Sequence, residues 1–289
     1  MFMKDVFSLH RIVDANEFSF DPAAYSRFKF GDGVAADAFG TALANGFITT
    51  HGEALLKSEQ LVILPSPYTA IPTASYYLTL SFSKVLNRFL CMNGRNPVET
   101  SKIHRFKTYS IDYGALDMQS RKALIINDKY HLDREFLRNK TLIFTDDIRI
   151  TGSHELIIRN LMQRYELDND AYFLYYAQLH NMDIHPNIEN KLNYFTVNSL
   201  QTLHEVMSAP SFMFNTRVVK YILNAKAAEF QHLLSLQTTN FLLELADLCF
   251  SNNYHQMEEY LPNATYLFNH LQKVVPSWQL GSKKELQLM

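Results

Sequence analysis

The sequence has only two cysteines, Cys91 and Cys249, far apart and with no histidine or cysteine at metal-ligand spacing beside them. That argues against a disulfide framework and a Cys/His metal site, and it fits reduced structural thiols in a reducing compartment. No stretch approaches eighteen uncharged apolar residues, so no membrane span is expected. The opening "MFMKDVFSLHRIVD" carries charge inside its apolar run and makes a poor signal peptide, so a cytoplasmic location is expected. Neither sign of charge is in excess. A net charge of -2 offers no electrostatic argument for nucleic acid or an anionic membrane as partner. Repeats and low-complexity tracts are absent. What is present is globular: 47% hydrophobic and 19% charged residues in a chain of 289, enough for one large domain or a medium domain with an appendage.

Short apolar runs alternate with helical periodicities over much of the chain. "QLVILPS" (60 to 66) reads as a buried strand closed by prolines, and "SPYTAIPT" (66 to 73) as the loop after it. A helix is expected from about Ser75 to Cys91. Earlier, "KFGDG" marks a turn, with Asp32 capping a helix through about Asn45 and Lys29 as a turn residue first and a ligand second. Residues 93 to 113 change to a basic loop leading into a strand near Lys107 to Ile111. A helix near Tyr113 to Ile125 and a short strand near Tyr130 to Leu132 follow. "KTLIFTDD" is a second buried strand, and Ile157, Ile158, Leu161, Met162 and Tyr165 form the core stripe of the helix after it. "AYFLYYAQL" and "NYFTVN" (193 to 198) read as two more strands. From about Ser199 only helical spacing is found. The expected fold is α/β, a parallel sheet flanked by helices with an all-helical C-terminal region. Its divisions are residues 1 to 60 as a preamble, 61 to 200 as the core and 201 to 289 as helices.

The stretch that carries chemistry is "TLIFTDDIRITGSHE", residues 141 to 155. Two adjacent carboxylates, Asp146 and Asp147, end a buried strand, where repulsion and desolvation both disfavour them. A ligand needing both is the simplest reason. The turn after them presents backbone N–H groups at a helix start, with the hydroxyls of Thr151 and Ser153 and with Gly152 for close approach. One element thus offers acceptors for vicinal hydroxyls and a cradle for a phosphate, as in a ribose 5-phosphate.

In this the chain resembles the type I phosphoribosyltransferases, through their phosphoribosyl-pyrophosphate signature, and loosely their ComF-like branch. The resemblance spans roughly residues 25 to 200. It implies that Asp146 and Asp147 hold the ribose hydroxyls and that Ile150, Thr151, Gly152, Ser153 and His154 wrap the 5-phosphate. It implies a pyrophosphate loop at Ser66, Pro67, Tyr68 and Thr69, and a flexible basic loop with Arg95, Lys102, Arg105 and Lys107 over the diphosphate. Residues 1 to 60, alone or with part of the helical tail, become the hood that builds the acceptor-base pocket. The implied activity is transfer of the phosphoribosyl group from 5-phosphoribosyl 1-pyrophosphate to a nitrogen base, with Mg2+ on the diphosphate, no metal bound directly by the protein, and room for a homodimer.

Where that family usually has a small apolar residue and then Thr, this chain has Arg149 and Ile150; where it has Thr or Ser, this chain has His154. Arg149 reads as an extra cation beside the ligand or a surface residue tied to Asp146, and His154 as a further phosphate donor. Glu155 adds negative charge near the phosphate. Other readings stand beside these. An acid pair also ends strands in receiver domains and metal-dependent hydrolases, Asp147 alone suits a helix cap, residues 66 to 73 suit a proline-fixed turn, and the basic residues suit a solvated face. His180 and His185 read as surface or core residues. A non-catalytic sensor of phosphoribosyl pyrophosphate or a nucleotide, and an interaction protein that keeps the fold without the ligand, are the rival functions. Neutralising Asp147 is expected to relieve repulsion and raise stability slightly.

Overall fold

The structure is a computed structural model and describes residues 4–106, 130–275 and 278. The chain divides into two compact units, residues 1–217 and 218–289. The first is built on a five-stranded parallel sheet in the order β1-β7-β6-β2-β3. Its strands are β1 (Lys4–Ile12), β2 (Leu61–Pro65), β3 (Glu99–Thr100), β6 (Thr141–Arg149) and β7 (Ala171–Leu179). A two-stranded antiparallel ribbon, β4 (His104–Arg105) with β5 (Tyr130–His131), stands apart from it. The helices are α1 (Pro22–Lys29), α2 (Gly33–Lys57), α3 (Ala74–Met92), α4 (Arg134–Leu137), α5 (Ser153–Arg164), α6 (Ile188–Asn193) and α7 (Leu200–Met207).

Both faces of the sheet are covered, as its continuous apolar strands require. Leu61, Ile63, Ile143, Tyr172 and Leu174 pack with α2 and α3 through Leu43, Phe47, Leu78 and Phe82. Val62, Leu64, Leu142, Phe144 and Phe173 pack with Ile157, Ile158, Leu161 and Met162 of α5, the stripe read from the sequence. Asp32 caps α2 through bonds from the N–H groups of Val34 (2.9 Å) and Ala35 (3.1 Å).

Helices α2 and α3 touch backbone to backbone. A Cβ on Gly40 would stand 2.2 Å from the Leu78 carbonyl oxygen and 2.9 Å from the Phe82 nitrogen. Gly40→Ala should therefore destabilise by up to about 2 kcal/mol net, because a fixed carbonyl cannot yield as a side-chain end does: overpacking costs about 1–3 kcal/mol against a gain of about 1 kcal/mol in helix propensity. Urea unfolding with a lower midpoint and unchanged slope is the expected result; an unchanged midpoint would mean the two helices separate without cost.

Four expectations need correction. Residues 1 to 60 are not a separate preamble: β1 pairs with β7 from Lys4↔Ala171 to Ile12↔Leu179, and Phe7 and Leu9 pack against the α2 side of the core. Charged residues along an edge strand hid its alternation. "NYFTVN" is not a strand. Ser26 donates to the Asn193 carbonyl (2.9 Å), and its Oγ accepts from the N–H groups of Thr196 and Val197 (both 3.1 Å), so a side chain satisfies backbone groups that a ladder would otherwise pair. β6 runs past the acids to Arg149, because β7 pairs with it that far. The basic loop is partly sheet: β3 pairs with β2, and Val98 and Ile103 are buried. The strand near Lys107 to Ile111 and the helix near Tyr113 to Ile125 lie outside the described residues.

The second unit is helical. It continues α8 (Thr216–Leu223) with α9 (Ala227–Ser235), α10 (Thr239–Ser251), a 3-10 turn (Tyr254–Gln256) and α11 (Leu261–Val274). Leu233, Leu245, Leu267 and Leu271 are buried, and the rings of Phe250 and Phe268 stack at 4.5 Å. Asn263 donates to the carbonyls of Leu223 (2.9 Å) and Ala225 (2.7 Å), closing the turn after α8. Cys249 is buried, which pushes its thiol up to about 12, and Cys91 is exposed; both are free. Among the described residues no helix is long and apolar enough to cross a membrane.

Candidate functional site

Parallel strands put their carboxyl ends on one edge of the sheet, where open α/β folds hold ligands. The loop after β2 and the turn after β6 share that edge because β2 and β6 are neighbours, paired from Leu61↔Thr141 to Pro65↔Thr145. Asp146 and Asp147 lie just beyond the last pair. Consecutive strand residues point to opposite faces, and their partners follow. Asp146 accepts from the N–H of Asp147 at Oδ1 (2.9 Å) and meets His154 Nδ1 at Oδ2 (3.1 Å), on the α5 side. Asp147 is 5% exposed and faces α1, where Tyr25 Oη and Lys29 Nζ both donate to its Oδ2.

These surroundings push the acids apart. Burial would raise Asp146, but the hydrogen bond and charge of His154, with help from Ser66, overcome it and hold the carboxyl below its ordinary range. For Asp147 burial wins against the Lys29 ammonium, with repulsion from Asp146 added, and its carboxyl lies above the ordinary range. Burial and the Asp147 charge raise Tyr25 well above an ordinary phenol, so it stays a donor. Two neighbouring carboxyls with divergent affinities for protons, at the ligand edge of a parallel sheet, make a functional-site candidate.

The turn after β6 has the form expected of a cradle. Gly152 is left-handed (φ +70) at the N-cap of α5 and brings no side chain to bond the first-turn N–H groups. Thr151 and Ser153 hydroxyls bond each other at 2.7 Å, and Ile150 is buried. Arg149 is not tied to Asp146. Its Nε donates to Glu155 Oε2 (2.7 Å), while Arg159 Nε donates to Glu155 Oε1 (2.7 Å) and the Tyr175 hydroxyl stands 3.5 Å from Oε2. Glu155, 6% exposed, is thus neutralised by two guanidiniums and adds no net repulsion at the cradle.

On the β2 side, Ser66 is buried with Oγ 3.4 Å from the Thr145 carbonyl, and Pro67 leads to Tyr68, which bridges to His104. Lys102 Nζ donates to the Thr69 carbonyl (2.6 Å) and sits 3.9 Å over the Tyr68 ring. Burial lowers Lys102 and raises Tyr68. The N–H of Arg105, on β4, donates to the Tyr68 carbonyl (3.4 Å), so both basic residues are near the loop. Arg95 is elsewhere: its guanidinium donates to the carbonyls of Ser58 and Glu59, just before β2, at the amino ends of the strands. A basic residue in the right stretch of sequence was carried to the opposite edge because β3 runs between it and the site. Lys107 lies outside the described residues. Sequence reasoning passed over Tyr25 and read Lys29 as a turn residue ahead of a ligand; the two stand four positions apart on α1, a spacing that puts them on one helix face.

A parallel sheet with helices on both faces, an acid pair near the end of its central strand and a glycine-opened helix start match the fold of a type I phosphoribosyltransferase. The chain belongs to the family described as PRTase ComF-like, which matches residues 3–267. That membership supports a phosphoribosyltransferase-type function in general terms. No curated protein matches the chain.

Proposed function

We propose that the protein binds 5-phosphoribosyl 1-pyrophosphate with Mg2+ and transfers its phosphoribosyl group to a nitrogen of a base, releasing pyrophosphate. The observation that carries this is the shared edge: acid pair, glycine cradle and β2 loop all open from neighbouring strands. In such a transfer the bond from the anomeric carbon to the diphosphate breaks as the base nitrogen bonds to that carbon, and positive charge builds on the carbon and ring oxygen. The chain's work is positioning and electrostatics. Asp146 and Asp147, near the end of β6, accept the ribose hydroxyls. The first-turn N–H groups of α5 with Thr151, Ser153 and His154 hold the 5-phosphate. Ser66 to Thr69, with Lys102 and Arg105 beside them, face the diphosphate.

No cluster of three ligating side chains exists among the described residues. Hard carboxylate oxygens in ones and twos, with substrate phosphates, are nevertheless what Mg2+ takes, so Asp146 and Asp147 fit an ion delivered on the diphosphate. When bound, the ion neutralises charge on the leaving group. Asp147 enters the ligand-free state already paired, and this favours one second reading: binding without turnover, as a sensor. Calorimetry with phosphoribosyl pyrophosphate and Mg2+, then a pyrophosphate-release screen over bases, separates the two. Binding with release is expected; binding without it for any base selects the sensor, and no binding removes both.

A further inference from the structure

Arg149 has a place that its role as counter-ion to Glu155 does not exhaust. It ends β6 immediately before the cradle, and its guanidinium lies against Gly152: a Cβ there would stand 2.9 Å from Nη2 and 3.3 Å from Cζ. Only Nε is used by Glu155, and among the described residues Nη1 and Nη2 carry no hydrogen bond. The side chain keeps 28% exposure while Glu155 is held at 8%. Glu155 is gripped from its other oxygen by Arg159, whose guanidinium is itself seated 4.4 Å over the Phe173 ring. A guanidinium fixed at Nε by a buried, doubly clamped carboxylate has its remaining fork oriented in advance, and such a fork matches two oxygens of a phosphate. The cluster of two arginines and one glutamate also leaves one positive charge at a helix start that already favours anions.

We infer that Arg149 is a phosphate-binding residue, its Nη edge taking oxygens of a phosphate monoester seated on the start of α5, with Glu155 as the positioning residue. This rests on the ribose 5-phosphate reading of the cradle and assigns it a side-chain cation in addition to backbone donors.

Calorimetry of the full chain with ribose 5-phosphate, inorganic phosphate and ribose tests this, with circular dichroism melting to check folding. Arg149→Gln should weaken ribose 5-phosphate at least about tenfold, the scale of a charge-assisted pair, and weaken inorganic phosphate in parallel while leaving ribose alone. Arg149→Lys keeps a cation for Glu155 but lacks the fork, so it should fold like the parent and still bind the phosphates several-fold more weakly. If Arg149→Lys and Arg149→Gln both bind ribose 5-phosphate as the parent does, Arg149 serves only Glu155 and the inference fails alone. If the parent takes up neither ribose 5-phosphate nor the magnesium complex of phosphoribosyl pyrophosphate, the whole site reading fails with it.

Discussion

Lys29→Met should lower the unfolding free energy by about 3–5 kcal/mol at pH 7, the cost of leaving a buried charge without its partner. Methionine keeps the length and apolar stem of lysine, so packing is largely conserved and the loss reports the charge. Lys29 and Asp147 are 11% and 7% exposed at their side chains, too buried for water to replace the missing ammonium. The sign with pH follows from Asp147. Its folded pKa is raised above the unfolded value of about 3.9. Protonation therefore favours the native state, and the group's contribution falls as pH rises through the window between the two values. Without Lys29 that window widens upward, so the loss should be large at pH 7 and shrink on acidification. The double variant Lys29→Met, Asp147→Asn should recover most of the stability. Asp147→Asn alone should destabilise rather than stabilise, because it leaves the Lys29 ammonium buried without its counter-ion, which outweighs the repulsion relieved at Asp146. Urea titrations at several pH values measure all of this, and a Lys29→Met loss that is small and flat with pH would show that the pair holds nothing.

Asp146→Asn should weaken the magnesium complex of phosphoribosyl pyrophosphate by about 10- to 100-fold, the 1.5–3 kcal/mol of hydrogen bonds to a charged acceptor. The amide oxygen can still accept from the Asp147 N–H, so the strand end keeps its shape. The stability curve gives a second readout. Asp146 is held below its ordinary range in the folded state, so it contributes stability above its unfolded pKa of about 3.9, and that contribution is lost as pH falls through the lower folded value. Asp146→Asn removes this part of the acid limb. Parent-like affinity in calorimetry would place the Asp146 carboxylate outside the ligand site, whatever the stability curve does.

The sequence by itself determined the elements whose burial is written in their own periodicity. The apolar runs of β2, β6 and β7, the stripe on α5 and the Asp32 cap each report a local environment, and the order strand, acids, glycine, helix puts the candidate site at one edge of a parallel sheet. β1 escaped because an edge strand tolerates the charges that break its alternation, and "NYFTVN" misled because strand propensity is overridden when Ser26 takes the backbone groups first. Arg95 and Lys102 look alike in sequence, yet one lies at the amino edge of the sheet and the other on the β2 loop. Only the tertiary structure decided what faces each acid. Tyr25 and Lys29 stand 122 and 118 positions from Asp147, and no local pattern encodes a pairing across that distance. It is set by the order of strands and the helix packed over them, which choose the counter-ion that a buried carboxylate must have.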